Sequence, residues 1–210
     1  MLHLEILDET RRRLLPKIAK AGEAFYLAGG TALALQLGHR DSIDFDFFSP
    51  EPFDTRQLFQ KCERIFAGNS LLKTQEETNT LSLSISEEVR LSFFGYPYEL
   101  LEPLIQTEQM SLASPLDIGV MKLSAITSRS TLKDYVDLYF ILQTSSLGDL
   151  LAGANKKFPS LDQNLILKSL VYFADITDEP IMYQPGFNTD QATIENFLRQ
   201  EVETYIKHSK

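Results

Sequence analysis

A chain of 210 residues is long enough for one domain of upper-middle size or two small ones sharing an interface. With 43% hydrophobic and 23% charged residues it can bury a substantial core, and the composition excludes a disordered chain. Twenty Lys and Arg against 29 Asp and Glu give a net charge of −9, which excludes broad, non-specific coating of nucleic acid but not a local basic groove or a polyanion held through metal.

In chain order, Leu4, Leu7, Leu14, Leu15 and Ile18 recur near helical spacing and predict a helix from Leu4 to Ala21. Arg11, Arg12, Arg13 and Lys17 within it read as a solvated face, with contact to a nucleic-acid backbone as the alternative. Phe25 to Ala28 is a short apolar strand running into Gly29-Gly30; Thr31 to Leu37 is a short helix stopped at Gly38. Ile43 to Phe48 alternates apolar and acidic side chains and predicts a strand. Asp54 to Phe66 is helical and carries the single cysteine, Cys62, as a buried thiol; one cysteine rules out an intrachain disulfide framework and a cysteine-based zinc cluster. Leu71 to Glu76, Thr80 to Ser86 and Val89 to Phe94 are β-like, the last two a hairpin around Glu87-Glu88, and Tyr96-Pro97-Tyr98 breaks the sheet.

From Ser114 the pattern is helical. Ser114-Pro115-Leu116-Asp117 offers an N-cap, a proline in the first turn and an acid three residues on, and Thr131-Leu132-Lys133-Asp134 repeats the spacing ahead of a helix to about Leu142. Further helices are predicted at Leu147–Phe158, Asp162–Ala174 and Asp190–His208. The organisation is therefore an α/β half, 1–113, and a helical half, 114–210. No segment approaches the roughly 18 apolar residues of a membrane span. The acidic start MLHLEILDETRRR lacks a secretion-signal pattern, so the expectation is a cytoplasmic protein.

The stretch from Leu27 to Phe48 carries the chemistry. Asp44 and Asp46 are two apart on a strand, so their side chains share a face with Cα atoms about 6.6–7 Å apart. Such a pair can ligate Mg²⁺, which takes one or two protein carboxylates and completes its shell with water and phosphate oxygens. Ile43, Phe45 and Phe47 point the other way and anchor the strand in the core. Taken alone, the pair also fits a strand with solvated acids. Gly29 and Gly30 let backbone approach a phosphate without Cβ obstruction, and the helix that follows offers free N–H groups to an anion, although a simple tight turn fits these glycines as well. With thirteen residues between Gly30 and Asp44, the two features together make a more specific signal.

A hydrophobic residue, Gly-Gly, about ten residues and then D-x-D resembles the polymerase-β-like nucleotidyltransferase superfamily. Gly38-His39-Arg40-x-Ser42-x-Asp44-x-Asp46 is similar specifically to its AbiEii/AbiGii toxin family, as are Lys122 followed seven residues later by Arg129, the run Lys133-Asp134-Tyr135-Val136-Asp137 and a late aspartate, Asp175. The resemblance covers about Phe25 to Pro180. It implies an α+β fold, a nucleotidyltransferase-like mixed sheet with flanking helices followed by a helical half that completes the active-site cleft. It implies Mg²⁺ on Asp44 and Asp46, and an NTP bound by Gly29, Gly30, Thr31, Arg40, Ser42, Lys122, Arg129, Lys133, Asp134 and Asp137. Lys122 and Asp175 join the two acids as catalytic residues, Asp175 as base. If one helix carries Lys122 and Arg129 they share a stripe, as do Asp134 and Asp137, with ordinary surface ion pairs as the alternative. The implied activity is toxin-like transfer of NMP from an NTP to an acceptor hydroxyl, such as the end of an RNA or tRNA, with a cognate antitoxin as partner. Many superfamily members carry a third carboxylate on a later strand, whereas Val89–Phe94 offers Arg90 and Ser92. A degenerate, non-catalytic nucleotide-binding or regulatory protein is therefore the alternative.

Overall fold

The computed structural model describes residues 2–177 and 180–208. The chain divides into two compact units, Met1–Glu99 with Pro103–Ala113, and Leu100–Glu102 with Ser114–Lys210.

The first unit opens with a 3-10 turn, Leu4–Ile6, followed by α1 (Glu9–Ala21). The periodicity from Leu4 is thus broken in two. Asp8 adopts extended backbone and its carboxylate accepts the Arg11 N–H at 2.8 Å, capping a new helix rather than continuing an old one. Next come β1 (Tyr26–Ala28), α2 (Gly29–Leu37), β2 (Asp44–Ser49), α3 (Thr55–Ile65), β3 (Leu71–Glu77), β4 (Thr80–Ile85), β5 (Val89–Gly95), β6 (Ile105–Gln106) and β7 (Ser111–Leu112). These strands form one sheet in the order β3-β4-β5-β2-β1-β7-β6. β2 lies antiparallel to β1 and parallel to β5, so the sheet is mixed. The α+β architecture expected from the sequence is the one observed. The two-residue strands β6 and β7 are too short to show a period of two and went unread.

The alternation along β2 sorts its side chains. Phe45 and Phe47 are fully buried, while Asp44, Asp46 and Phe48 on the other face are half-buried. Phe47 stacks on Phe93 of β5 with centroids 5.3 Å apart. It also packs onto Gly22 at the end of α1, where a Cβ would lie 2.2 Å from the Phe47 ring. Burial of each such ring stabilises the sheet by about 1.5–3 kcal/mol. Ile43 departs from expectation: it precedes the strand, is 50% exposed and anchors nothing. Cys62 on α3 is buried as expected, and loss of solvent pushes its thiol up to about 11.

The second unit holds α4 (Pro115–Ile126), α5 (Leu132–Leu142), α6 (Leu147–Lys157), α7 (Gln163–Leu170) and α8 (Gln191–His208). Ser114 caps α4 by accepting the Asp117 N–H at 3.0 Å. Thr131 stands at the N-cap of α5 without capping it; its hydroxyl is spent on Asp134 Oδ2 at 2.7 Å. Asp117, wholly buried, accepts the backbone N–H groups of Leu101 and Glu102 at 3.0 and 3.1 Å and pairs with the Lys157 ammonium. This clasp explains why Leu100–Glu102 belong with the helices. α7 stops at Leu170 rather than Ala174 because the buried Tyr135 hydroxyl donates to the carbonyls of Ser169 and Tyr172, at 3.1 and 3.2 Å, and replaces the next helical turn.

Candidate functional site

The glycines and the two acids meet within the first unit. Ala28, the last residue of β1, pairs in register with Asp46 of β2, so the chain leaves β1 directly beside the second carboxylate. Gly29 and Gly30 belong to the first turn of α2 itself, which begins two residues earlier than the sequence suggested. Gly29 holds φ +69°, a left-handed conformation that a residue with a Cβ adopts only at a cost of about 1–2 kcal/mol. A Cβ placed there would stand 3.3 Å from Asp46 Oδ2. The carboxylate therefore rests against bare backbone at a helix N-terminus, where N–H groups point outward.

Gly30 has a different constraint. A Cβ on it would lie 2.5 Å from Arg40 Nη2 and 3.5 Å from Ser42 Oγ. Arg40 is 3% exposed and donates from Nη1 to the Asp41 carbonyl at 2.9 Å, so its guanidinium is a fixed positive charge packed on the glycine turn. Thr31, also buried, bonds Ser42 Oγ at 2.7 Å and donates to the backbone carbonyl of Asp44. These bonds pin the loop before β2 to α2 and fix Asp44 relative to the turn. His39 is fully buried.

Sequence reasoning missed Arg11. Read as part of a solvated basic face, it is 7% exposed. Its Nε donates to the Ile43 carbonyl at 2.7 Å, Nη2 to the Glu88 carbonyl at 2.6 Å, and Nη1 pairs with Asp8. It thereby ties the residue before β2 to the residue before β5. The signal was there: Arg11 stands at helical spacing from Leu14, Leu15 and Ile18 on the buried face, while Arg12 and Arg13 fall on the exposed one. The pairing it secures sets Asp44 beside Arg90 and Asp46 beside Ser92, which confirms that no carboxylate occupies those two β5 positions.

The remaining residues lie in the second unit. Lys122 on α4 is buried, its ammonium 2.7 Å from Asp134 Oδ1 and 2.6 Å from Asp137 Oδ2. The two aspartates do share a face of α5, but Lys122 and Arg129 are not on one helix. α4 ends at Ile126, and Arg129 reaches Asp134 from the following loop, Nε to Oδ2 at 2.8 Å. Burial pushes the Asp134 carboxyl upward, yet Lys122 and Arg129 outweigh it and hold the group below its ordinary range. These pairs are buried, not the exposed ones weighed from spacing. The Arg129 side chain remains 62% exposed, and Lys133 is half-buried. Asp175 is exposed in the loop after α7 and accepts the Tyr172 hydroxyl at 3.0 Å, a bond that raises the phenol's pKa.

Asp44 and Asp46 suit one hard divalent cation whose other ligands come from water and substrate. Among the described residues no group of three or more His, Cys, Asp or Glu forms a closed metal cage. The carboxylate pair thus lies beside the glycine turn within this unit.

The family model of the nucleotidyl transferase AbiEii toxin, from type IV toxin–antitoxin systems, matches residues 13–208. The chain belongs to this family. Nucleotidyl transfer is accordingly the reaction class of this AbiEii-family enzyme. An uncharacterized protein of Aquifex aeolicus (strain VF5) is 34% identical over 210 residues, spanning 96% of this chain and 98% of that one. The fold is shared with MenT4, a nucleotidyltransferase toxin from Mycobacterium tuberculosis H37Rv (TM-score 0.60, 15% identity, 92% of this chain and 80% of that one). It is also shared with JHP933 from Helicobacter pylori (TM-score 0.55, 14% identity, 98% and 95%). No helix among the described residues is long and apolar enough to cross a membrane.

Proposed function

We propose that this AbiEii-family protein transfers an NMP from an NTP to an acceptor hydroxyl at the end of an RNA, tRNA being the first candidate, and that a cognate antitoxin restrains it. The observation that carries the reading is the approach of Asp46 to Gly29, its Oδ2 3.3 Å from where a Cβ would stand, which brings the carboxylate pair to the glycine turn. Asp44 and Asp46 would hold Mg²⁺, which supplies charge neutralisation on the transferring and leaving phosphates. Gly29, Gly30 and Thr31 present backbone N–H groups to the triphosphate, and the buried Arg40 together with the half-buried Ser42 holds that backbone in place. The acceptor oxygen forms a new bond to the α-phosphorus as the bond to pyrophosphate breaks. The resemblance assigns the hydroxyl's proton to Asp175. It also assigns nucleotide binding to Lys122, Arg129, Lys133, Asp134 and Asp137.

The test incubates purified protein with Mg²⁺, each α-labelled NTP in turn and total RNA. Label should pass to RNA from at least one NTP, and Asp46→Asn should reduce transfer at least about 100-fold with its melting temperature unchanged. NTP binding that persists without divalent cation, with no transfer from any NTP, would instead mark a nucleotide-binding protein that has lost catalysis.

A further inference from the structure

The parallel register of β2 and β5 sets Arg90 directly beside Asp44 and Ser92 beside Asp46. Residues paired in this way share a face, and adjacent strands lie about 4.8 Å apart. The burial along both strands agrees. Val89, Leu91 and Phe93 are buried with Phe45 and Phe47, while Arg90 is exposed and Ser92 half-buried on the side of the two acids. Ser92 is engaged with Ser82 of β4, Oγ to Oγ at 3.3 Å. Among the described residues Arg90 has no ion pair or hydrogen-bond partner, even with Asp44 on the neighbouring strand.

The strand order decides what such a cation faces. β2 lies between β1 and β5, and the glycine turn that receives the triphosphate emerges from β1. Arg90 stands on the opposite flank of Asp44. In an in-line displacement the attacking oxygen and the leaving pyrophosphate lie on opposite sides of the phosphorus. With the leaving group on the β1 flank, the acceptor approaches over β5. A lone, exposed guanidinium there suits an anionic oxygen on the acceptor, and its planar fork matches a phosphodiester. The rest of the chain is acidic, so one cation at this flank counts for more than it would on a basic surface.

We propose that Arg90 is an acceptor-binding residue that grips a backbone phosphate next to the attacking hydroxyl; this rests on the reading of the Asp44–Asp46 site given above. The protein thus reads its acceptor as a nucleic-acid end, through a charge placed where a third carboxylate would otherwise stand.

Binding of a fluorescent single-stranded RNA oligonucleotide with a free 3′ hydroxyl, followed by anisotropy without NTP, tests this apart from turnover. Arg90→Ala should weaken RNA binding about tenfold and flatten the slope of log K against log salt by about 0.7. Arg90→Lys should recover most of the affinity, and Arg90→Glu should fall below Arg90→Ala. Calorimetric NTP binding with Mg²⁺ should stay at the wild-type value in Arg90→Ala, and in the transfer assay the acceptor KM should rise while the NTP KM does not. Equal RNA affinity and salt slope in wild type and Arg90→Ala, no RNA binding by the wild type, or an equal loss of NTP binding would each overturn the proposal. RNA binding that depends on Arg90 with no label transfer sinks the proposed activity alone. Transfer with RNA binding indifferent to Arg90 sinks the Arg90 role alone.

Discussion

Replacing Lys122 with methionine tests how the helical unit is held together. The ammonium sits 2.7 Å from one carboxylate and 2.6 Å from another, and the three side chains are 8%, 2% and 0% exposed. Methionine keeps the apolar stem and deletes the charge. Asp134 retains Arg129, but Asp137, fully buried, loses its ammonium. Removing one partner from a buried pair costs about 3–5 kcal/mol, because the remaining charge stays out of water. The deficit should depend on pH. Asp134 is held below its ordinary range in the folded protein, so its contribution is complete above about pH 4 and is lost as pH falls through the lowered folded value. In Lys122→Met the Asp134 carboxylate protonates more readily, and the gap to wild type should narrow on acidification. Urea unfolding followed by circular dichroism at pH 7.5 and pH 3 reads both effects. A loss under about 1 kcal/mol at pH 7.5, or the same loss at both pH values, would refute the reasoning. Adding Asp137→Asn should restore part of the stability, since it removes the stranded charge.

Gly29→Ala and Gly68→Ala both place a Cβ on left-handed backbone, but only at Gly29 does the methyl approach Asp46. Each should lose about 1–2 kcal/mol in thermal melts, and only Gly29→Ala should lose Mg²⁺-dependent NTP binding by calorimetry. Arg11→Met removes charged donors from the carbonyls of Ile43 and Glu88 and should cost about 3 kcal/mol, with faster amide exchange at the start of β2 and β5. The Cys62 thiol, buried and raised to about 11, should resist iodoacetamide at pH 8 in native protein and react once urea exposes it. Prompt modification of the native protein would show that α3 opens.

The site was legible where it is local. From Tyr26 to Ser49 the chain runs strand, helix, strand, and the period of two alone places both acids on one face. The contact of Asp46 with Gly29 needed the β1–β2 register, which the spacing made natural without fixing it. The absence of an acid at Arg90 and Ser92 was readable because β5 alternates cleanly. What failed were inferences across breaks in periodicity. Asp8 splits the first helix by capping it, Ile43 lies one residue outside the strand, and α4 ends before Arg129, so a stripe counted through Lys122 did not exist. Arg11 escaped because it was read by its charge and not by its helical spacing with Leu14, Leu15 and Ile18, although the carbonyls that satisfy it are distant in sequence.

The order of strands has a further consequence during synthesis. β2 leaves the ribosome early, but its parallel neighbour β5 is three strands later in the chain, and Arg11 finds its second carbonyl at Glu88. A nascent polypeptide that ends before Val89 contains every residue of the glycine turn and both aspartates, yet one edge of the strand bearing them has no partner. Such long-range pairing forms late. The acid-bearing strand can therefore reach its native setting only after about residue 95 has emerged.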